Sequence, residues 1–84
     1  MIWNKLGFVI SSKQRTEVFL LTKECKTIDE IELKVRITSF TGVKRILKDF
    51  EREGLIRTNG NRIRLQEEGK KIYQKILSIA RKLL

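Results

Sequence analysis

The sequence contains no histidine, no proline and only one cysteine among its 84 residues. Without histidine, the Ser-His and Cys-His pairs of nucleophilic enzymes cannot form. The single cysteine, Cys25, cannot close an intramolecular disulfide, and it cannot supply the several thiolate or imidazole ligands of a zinc site. We interpret Cys25 as a small buried residue in a protein of the reducing cytoplasm.

Long hydrophobic runs and phosphate-binding glycine motifs are also missing. The apolar stretch from Ile2 to Ile10 is too short and too interrupted for a signal peptide or a membrane span. Neither a P-loop nor the glycine pattern of dinucleotide-binding proteins occurs. The sequence therefore predicts a cytoplasmic protein without enzymatic activity, with no metal, no cofactor and no small-molecule ligand.

Acidic residues are in a clear minority, with 10 Asp and Glu against 19 Lys and Arg, so the net charge is +9. The surplus is uneven, because residues 1–33 are neutral overall while residues 34–64 carry +6 and residues 65–84 carry +3. Such a surplus favours polyanionic partners, with nucleic acid first and an anionic membrane surface second.

Capping and turn signals divide the chain into helices and one hairpin. Ser11 and Gln14 have the spacing of a capping box before a first helix, and Thr27 with Glu30 has the same spacing before a second. Gly54 stands where a helix commonly ends in a left-handed residue. The predicted elements are helices at about residues 12–24, 28–35 and 39–53, strands at 55–58 and 61–65, and a last helix at 67–84. The pattern does not separate helix from strand over residues 2–10.

The dipeptide Asn59-Gly60 predicts the register of the hairpin. As a two-residue turn it pairs Arg57 with Arg62, and Ile56 with Ile63. Two arginines directly opposite each other repel, and a bound phosphate would turn that repulsion into attraction.

The third predicted helix separates apolar from basic residues. Its apolar side holds Val43, Ile46, Leu47 and Phe50, and the opposite row holds Thr41, Arg45, Lys48 and Arg52, with Lys44 beside it. The basic row contains no acid, whereas an ordinary solvated face mixes both signs. Because an α-helix fits the major groove of DNA, this row favours nucleic-acid binding over a plain solvated face.

Residues 38–56 read TSFTGVKRILKDFEREGLI, and this segment resembles the recognition helix and first wing strand of winged helix-turn-helix regulators. It is similar to archaeal members related to the MarR and ArsR groups. The resemblance extends over about residues 11–71. It includes an S-x-x-R segment at Ser12 to Arg15 and the stretch Leu65 to Lys70, where Gln66 replaces the usual threonine.

The resemblance implies an α+β, mostly α fold with three helices, a β-hairpin wing and a C-terminal helix. Residues 1–84 would form a single winged helix-turn-helix domain, with the helix-turn-helix at about 28–53, the wing at 55–65 and a packing helix at 67–84. Double-stranded DNA would be the partner. The implied base-edge or nearby phosphate contacts are Ser39, Phe40, Thr41, Lys44 and Arg45, with Lys48 on a phosphate and Arg57, Arg62 and Arg64 on the backbone or minor groove. For Phe40, packing at the edge of the core is an equal alternative.

The last helix carries two apolar stripes. One holds Ile72, Ile76, Ile79 and Leu83, and the other holds Tyr73, Leu77, Ala80 and Leu84. One small domain needs only one stripe to close its core, so we expect the second stripe, joined by Trp3, to form the interface of a homodimer. A membrane-surface role for this basic amphipathic helix is the alternative, although packing explains the stripes more simply.

Three functions therefore remain open from the sequence. The first is a sequence-specific transcription regulator, the second an architectural DNA binder with little base readout, and the third a winged helix used for protein–protein contact. The composition, rich in Lys, Glu and Ile, also hints at a thermophilic source.

Overall fold

The computed structural model describes residues 2–83, with the side chains of residues 4–80. This part of the chain is mostly helical with one antiparallel hairpin. In chain order the elements are α1 (Ile2–Ile10), α2 (Lys13–Glu24), α3 (Ile28–Lys34), α4 (Phe40–Arg52), β1 (Ile56–Asn59), β2 (Arg62–Leu65) and α5 (Glu67–Leu83). The side chain of Trp3 and residue Leu84, both predicted at a dimer interface, lie outside the described residues.

Hydroxyl side chains begin three of the helices. The Oγ atoms of Ser12 and Ser39 accept from the backbone N–H groups three residues further on, and Thr27 does the same in α3. Thr27 also donates to the Glu30 carboxylate, so the two residues of the predicted capping box are in contact through their side chains. The prediction for α2 was wrong by one residue, because Ser12 rather than Ser11 is the N-cap.

The C-terminus of α4 has the predicted glycine end. Gly54 has φ +77°, a left-handed conformation that strains residues with a Cβ. Its N–H donates to the carbonyl oxygen of Glu51, and the N–H of Leu55 donates to that of Phe50. This pair of bonds is the Schellman motif, and it turns the chain sharply from α4 into the hairpin.

The strand pairing of the hairpin is shifted by two residues from the prediction, because the turn lies one residue later in the chain. Ile56 pairs with Leu65, and Arg57 pairs with Arg64 rather than with Arg62. The two-residue turn is Gly60-Asn61, because Gly60 alone has a positive φ (60°), as a type II′ turn requires at its first central position. An Asn59-Gly60 type I′ turn would need a positive φ at both residues.

The turn residue Asn61 explains this choice of register. Its backbone oxygen accepts from the N–H of Ile28, and its side chain exchanges hydrogen bonds with the backbone and carboxylate of Asp29. Thr27 forms an isolated bridge with Arg62 on the free edge of β2. These contacts with the start of α3 fix Asn61 in the turn, and such long-range contacts do not show in the local sequence.

The first element, left open by the sequence, is a helix that joins the domain's own core. Leu6 and Val9 are buried, and α1 packs against α2 and α5. Lys5 forms an ion pair of 2.7 Å with Glu68 of α5 and donates to the carbonyl oxygen of Glu53. Four helices, not three, therefore precede the hairpin within residues 2–83.

The core lies between the helices and the inner face of the hairpin. Phe19 of α2 and Phe50 of α4 meet edge to face with 5.4 Å between ring centroids, and both are fully buried. Ile63 and Leu65 of β2 and Ile72 of α5 belong to the same cluster. The first turn of α5 approaches the hairpin so closely that a Cβ on Gly69 would collide with the carbonyl oxygen of Leu55.

Candidate nucleic-acid interface

Helix α4 divides its residues as its sequence predicts. Its apolar residues Val43, Ile46, Leu47 and Phe50 are buried, while Thr41, Lys44, Arg45, Lys48 and Arg52 are exposed. We call the exposed residues Thr41, Lys44, Arg45 and Lys48 the α4 surface. Helix geometry and burial therefore place on one exposed side the residues of α4 that were predicted from the sequence to face a major groove.

The cations of the α4 surface are free of acidic partners. Within the part of the chain that the structure describes, Lys44, Arg45 and Lys48 form no ion pair. Arg52 differs, because its guanidinium lies 3.3 Å from the carboxylate of Asp49 one turn earlier. Arg52 itself is exposed and Asp49 is partly exposed, so the pair is weak and a phosphate can compete for Arg52, but Arg52 is the least available cation of the predicted row.

The start of α4 borders a concavity of about 520 Å³ beside the N-terminus of α2. Arg45, Ser39 and Gln14 are among its lining residues. The Ser39 hydroxyl accepts from the N–H of Gly42, so this predicted base-contacting residue also serves as the helix cap. A Cβ on Gly42 would lie 3.0 Å from that hydroxyl oxygen, which gives a packing reason for a glycine in the first turn.

Glu17 of α2 holds the turn before α4 and was not identified from the sequence. Its carboxylate accepts from the backbone N–H groups of Arg36, Ile37 and Thr38, at 2.7 to 3.2 Å. Partial burial raises the pKa of Glu17, but these backbone hydrogen bonds outweigh burial and hold the pKa below its usual 4.5. A lone glutamate in a helix gives no sequence signal for this role, because the three N–H groups come from a turn about twenty residues away.

Arg15, the arginine of the S-x-x-R segment, is engaged within its own neighbourhood. Its guanidinium donates to the Ser11 hydroxyl at 2.8 Å and lies 4.3 Å from the centre of the Phe8 ring. These contacts join the end of α1 to the start of α2. Arg15 therefore has a structural role at this junction.

Phe40, the first residue of α4, is 64% exposed. The alternative that it packs at the edge of the core is therefore wrong. Ile37 in the preceding turn and Leu33 in α3 are also large exposed apolar residues. Phe40 stands beside Thr41 of the α4 surface, where an aromatic ring is free to contact a base.

The hairpin arginines form a second basic surface. Arg57, Arg62 and Arg64 are exposed, and they line a concavity of about 790 Å³ together with one lysine of α2, one of the segment after α2 and one of α5. We call these six cations the hairpin surface: Lys23, Lys26, Arg57, Arg62, Arg64 and Lys70. The three lysines were not predicted from the sequence, because Lys23 and Lys26 lie some thirty residues before the hairpin.

No group of three or more His, Cys, Asp or Glu among the described residues could hold a metal ion, and no helix there is long and apolar enough to cross a membrane. Cys25 is buried, and desolvation raises the pKa of its thiol, as for a small core residue.

No protein-family model, curated protein or solved structure matches this chain.

Proposed function

We propose that this protein is a winged helix-turn-helix domain that binds double-stranded DNA through its α4 surface and acts as a transcriptional regulator without enzymatic activity. The observation that carries the proposal is the amphipathic helix α4, with a buried apolar side and, on the other side, three cations that have no ion pair among the described residues. A helix of this kind can enter the major groove, where Arg and Lys reach guanine or phosphate oxygens.

The surroundings of α4 support the same reading. The Glu17 carboxylate holds the turn before α4, and the Gly54 motif fixes the C-terminus of α4. Both ends of the helix are therefore held in place. Rigid presentation lowers the entropy that ordering costs on binding. The net charge of +9 would also speed encounter with a polyanion.

Salt dependence of binding tests the proposal. A dimer making about 6–10 phosphate contacts loses roughly 10³–10⁵ in duplex affinity between about 50 and 200 mM salt. We expect Arg45→Gln with Lys48→Gln to weaken binding of a labelled duplex with little change in melting temperature. Duplex affinity that hardly responds to salt or to these substitutions would favour a protein–protein contact module instead.

Selection of bound duplexes from a random pool separates regulator from architectural binder. An enriched motif supports base readout by Ser39, Phe40, Thr41 and Arg45, whereas no enrichment supports phosphate contacts alone. The architectural function is the second candidate, and the many exposed cations on the hairpin favour it.

A homodimer in the cytoplasm remains part of the proposal. On α5, Tyr73 and Leu77 are partly exposed and Ala80 is exposed, which leaves this stripe available to a second copy. Ile72 and Ile76 on the other stripe are buried in the domain's own core. Sedimentation at high micromolar concentration, with and without DNA, tests the dimer, and a monomer in both conditions would contradict it.

A further inference from the structure

The hairpin surface lies at the opposite end of α2 from the start of α4. Lys23 and Thr22, in the last turn of α2, line the concavity of the hairpin surface. Ser12 and Gln14, at the first turn, line the concavity beside Arg45. Nine residues separate Gln14 from Lys23, which is about 14 Å along a helix axis. The two concavities share no lining residue.

The hairpin surface is built for anions. No acidic residue lines its concavity, and five of its six cations have no ion pair among the described residues. Lys70 is the exception, at 3.7 Å from the Glu67 carboxylate. The cations come from α2 and the segment after it, both strands and α5, so the fold itself brings them together.

The cross-strand pair Arg57 and Arg64 indicates what the surface binds. Two guanidinium groups directly opposite each other repel, and this pair destabilises the hairpin unless an anion lies between or above them. Phosphate is such an anion, since each guanidinium can donate two hydrogen bonds to it. A duplex presents a row of phosphates along its length, which matches cations spread over a concavity of about 790 Å³.

We propose that the hairpin surface is a separate phosphate-backbone site that holds a second DNA duplex while the α4 surface holds the first. One protein would then bridge two duplex segments. This inference rests on the proposed DNA binding by α4. It differs from the sequence expectation, in which the hairpin arginines contact the same duplex as α4.

A bridging assay with the full chain tests the proposal. Two short duplexes of about 15 bp, one with a donor and one with an acceptor dye, are mixed with protein at low salt. Bridging gives energy transfer that rises with protein and falls again when excess protein occupies every duplex singly. Anisotropy of one labelled duplex in protein excess measures binding to a single duplex.

Charge-matched variants show which surface binds the second duplex. Lys23→Gln with Arg64→Gln removes two charges from the hairpin surface, and Lys34→Gln with Lys71→Gln removes two exposed charges outside both surfaces. In the hairpin variant, we expect the affinity for the second duplex to fall about tenfold for each phosphate contact removed. Its affinity for a single duplex should change less than about twofold. The control variant should bridge like the parent. Lys26→Gln with Arg57→Gln should repeat the hairpin result, and melting curves check that all variants fold.

Four outcomes would overturn the proposal or the function on which it rests. If the hairpin variant weakens single-duplex binding and the parent never bridges, one duplex contacts both surfaces. If the hairpin variant bridges like the parent while Arg45→Gln with Lys48→Gln abolishes bridging, two α4 surfaces of a dimer make the bridge. If the α4 variant binds one duplex as tightly as the parent, the proposed function itself is wrong. If that variant weakens as expected but the parent does not bridge, only the second site is wrong.

Discussion

The carboxylate of Glu17 accepts a hydrogen bond from the backbone N–H of Thr38, with 2.9 Å between Oε1 and N. Thr38 is the residue before the Ser39 cap, so this bond ties the middle of α2 to the start of α4. Thr38 returns a second bond, in which its hydroxyl donates to the carbonyl oxygen of Gln14. The position of α4 therefore depends on contacts with α2, although α2 contributes no residue to the α4 surface.

Replacing Glu17 with Gln should destabilise the domain. The amide keeps one oxygen but places an NH₂ group against backbone N–H donors, so part of the turn loses its acceptor. Loss of charged hydrogen bonds at this half-exposed site should cost about 1–2 kcal/mol in the free energy of unfolding, measured by urea titration. Glu24→Gln, an exposed change at the end of the same helix, should have almost no effect. Equal stability of the two variants would contradict the role of Glu17.

Low pH should remove the contribution of Glu17 to the free energy of unfolding. Its pKa is lowered in the folded protein, so its stabilising effect is fully present above the unfolded value near 4.5 and is lost as the pH falls through the folded pKa. The stability gap between the parent and Glu17→Gln should therefore narrow below about pH 4.5. Urea titrations of both proteins at several pH values measure this gap. A gap that stays constant down to about pH 3 would show that the carboxylate charge is not responsible.

Two glycine-to-alanine changes should affect the stability of the domain in opposite directions. Alanine at Gly69 places its Cβ against the Leu55 carbonyl oxygen, which already accepts from the N–H of Gln66. We expect a loss of about 1–3 kcal/mol, because backbone must shift. Gly7 in α1 has open space around it, so alanine there should gain about 0.5–1 kcal/mol from helix propensity. Thermal melting of both variants tests the pair. A gain at Gly69 would mean that α5 does not approach the hairpin this closely.

The helices were predictable because their signals are local. The Thr27 N-cap, the Gly54 end and the two faces of α4 all depend on residues within a few positions of one another, and each was confirmed. The Glu17 contact, the Gly60-Asn61 turn and the grouping of Lys23 with Arg64 depend on contacts between distant segments. Such contacts follow from packing, which one sequence does not display. The apolar residues 2–10 fit either a strand or a helix until Leu6 and Val9 have a core to enter.

The hairpin register can be tested by stability alone. Arg64→Thr removes the direct cross-strand repulsion with Arg57, so the hairpin should gain about 0.2–1 kcal/mol. Arg62→Thr is the matched control, because Arg62 faces Asn59 in the observed register. Both changes place threonine in β2, so strand propensity contributes similarly to both. Chemical denaturation measures the difference. A gain from Arg62→Thr but none from Arg64→Thr would support the Asn59-Gly60 turn predicted from the sequence.

Phe40 should contribute to base selectivity and little to stability. Its exposed ring begins α4 next to Thr41, and an apolar side chain in the major groove can contact the methyl group of thymine. In a duplex that contains the selected motif, replacing the contacted thymine with uracil removes that methyl group. We expect the parent to lose about 0.8 kcal/mol, or about fourfold in affinity, from one buried methyl.

The variant Phe40→Ala should melt near the parent temperature and should bind the thymine and uracil duplexes equally, because it has no ring to contact the methyl group. Leu33→Ala is the matched control, since Leu33 is 85% exposed and lies on α3 outside the α4 surface. That control should keep the parent's preference for thymine. Fluorescence anisotropy with the two duplexes measures all three proteins. If Phe40→Ala still prefers thymine at every position of the motif, Phe40 does not contact a thymine methyl group.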